Sequence, residues 1–117
     1  MIRLYALVAA GGAIGSMARF WLATLVARQT GPGFPWGTIL INITGSFIIG
    51  ALAPRATPTV TAFAMAGLCG GFTTFSAFSL QTFELLRAAR YIDAMINIAV
   101  SVAACLAATA LGFAISK

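Results

Sequence analysis

Residues 70–79 read Gly70-Gly71-Phe72-Thr73-Thr74-Phe75-Ser76-Ala77-Phe78-Ser79. They interrupt an apolar segment that runs from near Val60 to near Arg87. Adjacent glycines followed by a hydroxyl-rich, partly β-branched run make a poor uninterrupted helix. If the segment lies in a bilayer, non-helical backbone is tolerated there only where it is buried in protein or lines a cavity. The stretch therefore predicts a helix–break–helix, with the break facing protein or a polar path.

The rest of the chain supports a membrane setting. Hydrophobic residues make up 61% of its 117 positions and charged residues only 8%, against about 25% charged in soluble domains. The mean hydropathy is +1.00. These values exclude a water-soluble globular fold and also disorder, which needs low hydrophobicity and high charge. Three further apolar segments run from about Leu4 to Val26, Gly37 to Ala53 and Ala94 to Ile115. Each is long enough, or nearly so, for the about 20 residues of a helical span. The first is too long for the apolar core of a signal peptide, and Arg19 interrupts it, so it reads as a retained helix. A turn rich in Gly and Pro at 28–36 and a linker with two prolines at 54–59 separate the first three segments. Trp21 and Trp36 suit interfacial positions. The expected architecture is all-α and integral to the membrane, one domain over 1–117 with four spans and a broken third helix.

Seven Lys and Arg against two acids give a net charge of +5. The basic residues are scattered, which fits interfacial anchors better than a nucleic-acid surface. With four spans, Arg3, Arg55 and Lys117 fall on one side and Arg28, Arg87 and Arg90 on the other. Equal counts give no preferred orientation under the positive-inside rule. Either the bias is weak and a partner resolves it, or the chain inserts both ways and pairs antiparallel; the balance favours the second.

Enzymatic chemistry has little to use. There is no His, and the two acids, Glu84 and Asp93, form no metal-ligand pattern. Cys69 and Cys105 make no CxxC and read as small packing residues. Polar residues within spans are the informative ones. Gly11, Gly15 and Arg19 share a face of the first segment; the glycines suit close helix packing. Arg19 either faces protein or water, or snorkels to the interface. Thr38, Asn42 and Gly45 share a face of the second, with Ser46 at its margin. Asn42 is either interhelical glue or a donor on a polar path. Asn97, Ser101, Cys105 and Thr109 follow at i, i+4, i+8 and i+12 in the fourth, as glue or as an uncharged pore wall. Phe75 and Phe78, at i and i+3 past the break, are either core or ring edges presented to an anion.

Gly37-Thr38…Asn42…Gly45-Ser46-Phe47 followed by residues 70–79, with the Gly11/Gly15/Arg19 face and the fourth-segment stripe, resembles the CrcB/Fluc fluoride channels. The resemblance spans essentially the whole chain in order, and its specific part is the Thr-Thr-Phe-Ser-x-Phe-Ser run with the upstream asparagine. It implies an antiparallel, dual-topology homodimer in the cell's inner (plasma) membrane, passively exporting fluoride through two interfacial pores and so conferring fluoride resistance. It further implies Phe75 and Phe78 as pore phenylalanines and Asn42 as the pore asparagine. Ser101, Cys105 and Thr109 would form the polar track, with Asn97 at its mouth. A central structural sodium ion would be held by the Gly70 and Thr73 carbonyls. Three positions depart from the family pattern: Ala77 for Thr, Gln81 for Glu and Cys105 for Ser. They bear on rate and gating more than on identity. Two rival readings remain. A small dual-topology multidrug or cation exporter fits the size and charge balance but needs an acidic residue in the first span, which is absent. A non-transporting assembly subunit would use the polar stripes only as glue.

Overall fold

The computed structural model describes all 117 residues, Met1–Lys117. It is entirely helical. Helix α1 spans Ile2–Thr30 and α2 spans Trp36–Leu52, extended by a tight turn at Ala53–Arg55. Helix α3 covers 58–72, α4 spans Phe75–Arg87 and α5 spans Tyr91–Ser116. Four stretches are long and apolar enough to cross a membrane: Ile2–Thr30, Trp36–Arg55, Pro58–Arg87 and Tyr91–Ser116. The apolar run of α2 is short in sequence, but Ala53–Arg55 carries the span to 20 residues, or about 30 Å, the thickness of the hydrocarbon core.

The helix ends follow local chemistry. Thr57 caps α3 by accepting the Val60 N–H at 3.2 Å, with Pro58 in the first turn, where its missing N–H costs nothing. Between α4 and α5 the chain turns in three residues that contain neither Gly nor Pro. Ala89 takes the left-handed conformation (φ 59°), and the Arg90 N–H returns to the Leu85 carbonyl at 2.9 Å. Arg90 then pairs with Asp93 at 2.7 Å and donates to the Gly33 carbonyl, tying this turn to the α1–α2 loop. At the opposite end Arg3 donates to Thr59 Oγ1 at 2.7 Å.

The predicted break is present, but its place differs from a simple reading of the glycines. Gly70 and Gly71 are helical, and the helix stops at Thr73 and Thr74, both extended (ψ 159° and 118°). The reason is packing. A Cβ on Gly71 would meet Gly12 O at 2.7 Å and Gly12 Cα at 3.1 Å, so the glycine serves a close helix contact and not the break. Before it, Thr61–Cys69 is wound in wide i→i+5 turns.

Two backbone-close pairs hold the subunit together. Helix α1 lies on α3 through Gly11, facing Phe63, Gly67 and Leu68, and through Gly15, facing Leu68 and Phe72. Helix α2 lies on α5 where Gly50 abuts the Thr109 backbone and Gly112 abuts Phe47 and Ala51. Helix α4 closes against α5. Without water to drive helices together, close backbone approach lets dispersion hold them. The interior is correspondingly thin: only 16 residues are buried, and large side chains such as Phe20 and Leu106 face outward.

This contact yields a paired prediction. A Cβ on Gly15 would meet Phe72 N at 2.9 Å and overlap the Leu68 carbonyl, both backbone atoms that cannot swing aside. Gly15→Ala is expected to destabilise by about 1–3 kcal/mol, and Gly15→Leu to prevent folding. The nearest atom to a Cβ on Gly12 is Gly67 O at 3.9 Å, so Gly12→Ala is expected to be neutral or stabilising. Thermal unfolding of the three variants in detergent checks the order.

Candidate functional site

The break in the third span is repaired by one side chain. Asn42 on α2 accepts the Thr74 N–H on its Oδ1 at 2.8 Å and donates through Nδ2 to the Thr74 carbonyl at 3.1 Å. The carboxamide thus stands in for a neighbouring peptide and satisfies both groups that the extended residue exposes. An unmet buried backbone group would cost about 1–3 kcal/mol. One Nδ2 hydrogen remains beyond this pairing. The two alternatives for Asn42, glue or donor, are therefore compatible in one residue.

The other groups at the break are also handled individually. The Thr73 N–H and hydroxyl both donate to the Cys69 carbonyl, at 2.9 and 2.8 Å. Arg19 donates from Nε to the Gly71 carbonyl at 3.0 Å. It is half-buried against the C-terminal end of α3, where the helix dipole favours a cation. The structure thus places Arg19 against protein, at the break. Thr74 caps α4 by accepting the Ala77 N–H at 3.1 Å, and its hydroxyl lies 3.1 Å from that of Ser76. Two consecutive threonines therefore end one helix and begin the next.

Beside the break is a groove of about 320 Å³. Helix α2 contributes Asn42, Gly45, Ser46 and Ile49; the break contributes Cys69, Gly70, Thr73 and Thr74. Phe75 and Phe78 come from the first turn of α4, and Ser101, Val102 and Cys105 from α5. The two rings lie 5.3 Å apart at 47°. Phe75 is 76% exposed on the single chain. No Lys, Arg, Asp or Glu lines the groove.

The polar stripe of α5 is divided between the groove and its neighbours within the single chain. Ser101 and Cys105 line the groove, whereas Asn97 and Thr109 lie outside it. Asn97 is 1% exposed and donates to Thr82 Oγ1 at 2.9 Å, while Thr109 donates to the Ser46 carbonyl at 3.1 Å. The cause is helical geometry. Four residues overshoot one turn by about 40°, so three such steps drift by about 120° around the helix. Asn97 therefore reaches α4, Thr109 reaches α2, and the two residues between them face the gap. Thr82, which composition did not single out, completes a relay. It accepts from Asn97 and donates to the Phe78 carbonyl at 2.7 Å, while Ser101 donates to Asn97 Oδ1 at 3.3 Å. Its position four residues after Phe78 was the available signal. Of the departures from the family pattern, Cys105 lies on the groove; Gln81 lies away from it, beside a second cavity formed with the α1–α2 loop.

Four apolar spans around an uncharged, largely apolar groove that carries a few amide, hydroxyl and thiol groups at a helix break define a small multi-pass membrane protein of the ion-pathway class. The family model described as CrcB-like protein, Camphor Resistance (CrcB), matches residues 6–113, and the chain belongs to that family. It is similar to the fluoride-specific ion channel FluC of Methylocella silvestris, with 48% identity over 96% of this chain and 92% of the relative. The FluC of Rhodospirillum rubrum is 47% identical over 92% of this chain and 90% of the relative, and that of Opitutus terrae 48% over 93% and 89%.

Proposed function

We propose that this chain is a fluoride-selective channel of the cell membrane that lets cytoplasmic fluoride leave passively. Membership of a family whose near full-length relatives are named fluoride-specific channels carries the reading. The groove gives it a physical basis. Fluoride is small and strongly hydrated, so a path must replace its water with several donors that do not trap it. The Asn42 amide, the Ser101 hydroxyl, the Cys105 thiol and the ring edges of Phe75 and Phe78 offer partial positive charge without a fixed cation. Asn97, Thr82 and Thr109 hold that wall in place from behind. The test is anion efflux from liposomes containing only this protein. Fluoride is expected to leave once valinomycin relieves the voltage, and chloride to stay; equal flux of both, or none, overturns the assignment.

The working unit in this reading is an antiparallel homodimer. Support comes from the balanced basic residues at the two ends and from the exposed Phe75, which a second copy would cover. A C-terminal reporter is expected on both sides of the membrane. Neutralising Arg55 while adding two lysines near Arg28 is expected to bias insertion to one side. A single orientation of the unmodified chain would rule the antiparallel pair out.

A sodium ion would suit the break as a structural partner. Gly70 and Thr73 border the groove at the C-terminal end of α3, where carbonyls carry partial negative charge. The side-chain donors at the break go to the Cys69, Gly71 and Thr74 carbonyls, not to those of Gly70 and Thr73. In the dimer, two such breaks would supply carbonyl ligands without an acidic side chain. Exhaustive removal of sodium is expected to lower fluoride flux, with recovery on adding sodium back; flux unaffected by sodium would remove the ion from the scheme.

A further inference from the structure

Thr82, Asn97 and Ser101 are 7%, 1% and 6% exposed, and their chemistry fixes the direction of every hydrogen bond between them. The Phe78 carbonyl can only accept, so the contact at 2.7 Å takes the single Thr82 hydroxyl proton. Thr82 Oγ1 then has only lone pairs to offer, and the Asn97 Nδ2 donates to it at 2.9 Å. With the amide turned over, Asn97 Oδ1 would need that same Thr82 proton. Thr82 Oγ1 and the Phe78 oxygen would then stand 2.7 Å apart with no hydrogen between them. Asn97 Oδ1 therefore faces Ser101 and accepts the one serine hydroxyl proton at 3.3 Å. The chain runs one way, from Ser101 through Asn97 and Thr82 to the Phe78 carbonyl. Ser101 lines the groove, yet its proton is held on the protein side.

We propose that Thr82 and Asn97 are positioning residues that make Ser101 a switched donor. Its hydroxyl rests on Asn97 Oδ1 between ions and rotates to fluoride when one arrives; the O–H bond stays intact throughout. The inference rests on the groove being the fluoride path. The bond given up is weak, because 3.3 Å exceeds the about 2.5–3.0 Å of an ordinary O–H···O contact. A hydrogen bond to an anion is shorter and about twice as strong as one between neutral groups, so the exchange favours the ion. The return is built in as well. Asn97 Oδ1 has no other side-chain partner, and at a residue 1% exposed an acceptor left unmet is costly. That cost opposes tight capture. Conduction needs this balance, with binding favourable enough for entry and weak enough for exit. Thr82 keeps the amide from turning over, so the acceptor is always the atom that Ser101 meets.

The chain has two asparagines, Asn42 and Asn97, so isotope labelling of asparagine gives two side-chain amides to follow by nuclear magnetic resonance. The full-length protein in detergent is titrated with sodium fluoride, and with sodium chloride as the control; Asn42→Ser assigns the signal that remains to Asn97. The Asn97 amide is expected to shift with fluoride and not with chloride, and in Ser101→Ala to stop responding. Without the Thr82 hydroxyl the amide is free to turn, offer Nδ2 to Ser101 Oγ and release the serine proton to the groove. Thr82→Val is therefore expected to lower the fluoride concentration at half-shift by about two- to tenfold, the range of one net hydrogen bond. Thr82→Ala serves if the valine disturbs folding, and Thr82→Ser, which keeps the hydroxyl, is expected to restore the native value. A residue that only braced the wall would weaken fluoride binding when replaced, the opposite sign. An Asn97 amide indifferent to fluoride in a protein that conducts it overturns the switch and leaves the channel reading standing. A response that persists in Ser101→Ala also overturns the switch, and an unchanged or raised half-shift in Thr82→Val overturns the role of Thr82. Absence of fluoride flux from liposomes overturns the channel reading; an Asn97 response in that same protein would still support the turning hydroxyl.

Discussion

Asn42→Asp is expected to leave no measurable fluoride flux. The substitution keeps an acceptor for the Thr74 N–H but removes the donor that meets the Thr74 carbonyl. A carboxylate would then face a carbonyl oxygen across the break and set a negative charge on a groove that has none. The first effect costs stability, about 1–3 kcal/mol for a buried group left unmet. The second repels any anion at the same place. Asn42→Ser separates them: a hydroxyl restores one hydrogen bond and adds no charge, so part of the flux should remain. Efflux normalised to folded, dimeric protein is the measurement. Normal conduction by Asn42→Asp would leave Asn42 a purely structural bridge.

Phe75→Ile and Phe78→Ile are each expected to cut flux at least tenfold while the protein folds normally. Phe75 is 76% exposed on the single chain, so losing its ring removes little buried contact within the subunit. Volume-conserving apolar exchanges usually cost under about 1.5 kcal/mol. A ring that served only packing would therefore give flux in proportion to folded protein. A ring whose edge borders the path loses its positive rim, which no aliphatic side chain supplies. Phe63 on α3, outside the motif, is the control and should tolerate Leu. Wild-type flux in both variants would return Phe75 and Phe78 to the packing core.

The spans were legible because each apolar run ends at a proline, a glycine or a charge. Their limits were not. Helix α1 continues to Thr30 because Ala27, Arg28 and Gln29 are good helix formers that a hydropathy reading assigns to the loop. The turn at 88–90 carries no Gly or Pro and is made by an alanine with positive φ, which no composition rule marks. The break was legible as an event but not in place, since glycine serves two purposes in this helix. Gly67 seats against Gly11 and Gly71 against Gly12, so both serve the contact with α1 and neither makes the break. The site residues were legible one by one, by polarity within apolar runs. Their partners were not: Asn42 and Thr74 are 32 residues apart and Arg19 and Gly71 are 52. No local pattern joins such pairs; only the packing of α1, α2 and α3 does.

The wide turns of Thr61–Cys69 also bear on how this chain can change length. In an α-helix each residue advances the face by about 100°. One residue gained or lost between Gly11 and Arg19 would therefore swing Arg19 away from the Gly71 carbonyl once the glycines are seated. A segment wound i→i+5 holds more residues per turn than an α-helix, and tightening or loosening it takes up a residue without rotating the helix beyond it. Helix α1 is thus committed to its residue count, whereas α3 can take up a residue only ahead of Phe63, because Phe63, Gly67 and Leu68 seat the α1 glycines. Variation in length within this fold has a natural home at the start of that segment, at 61–62, upstream of the α1 contact and of every groove residue that α3 and α4 contribute.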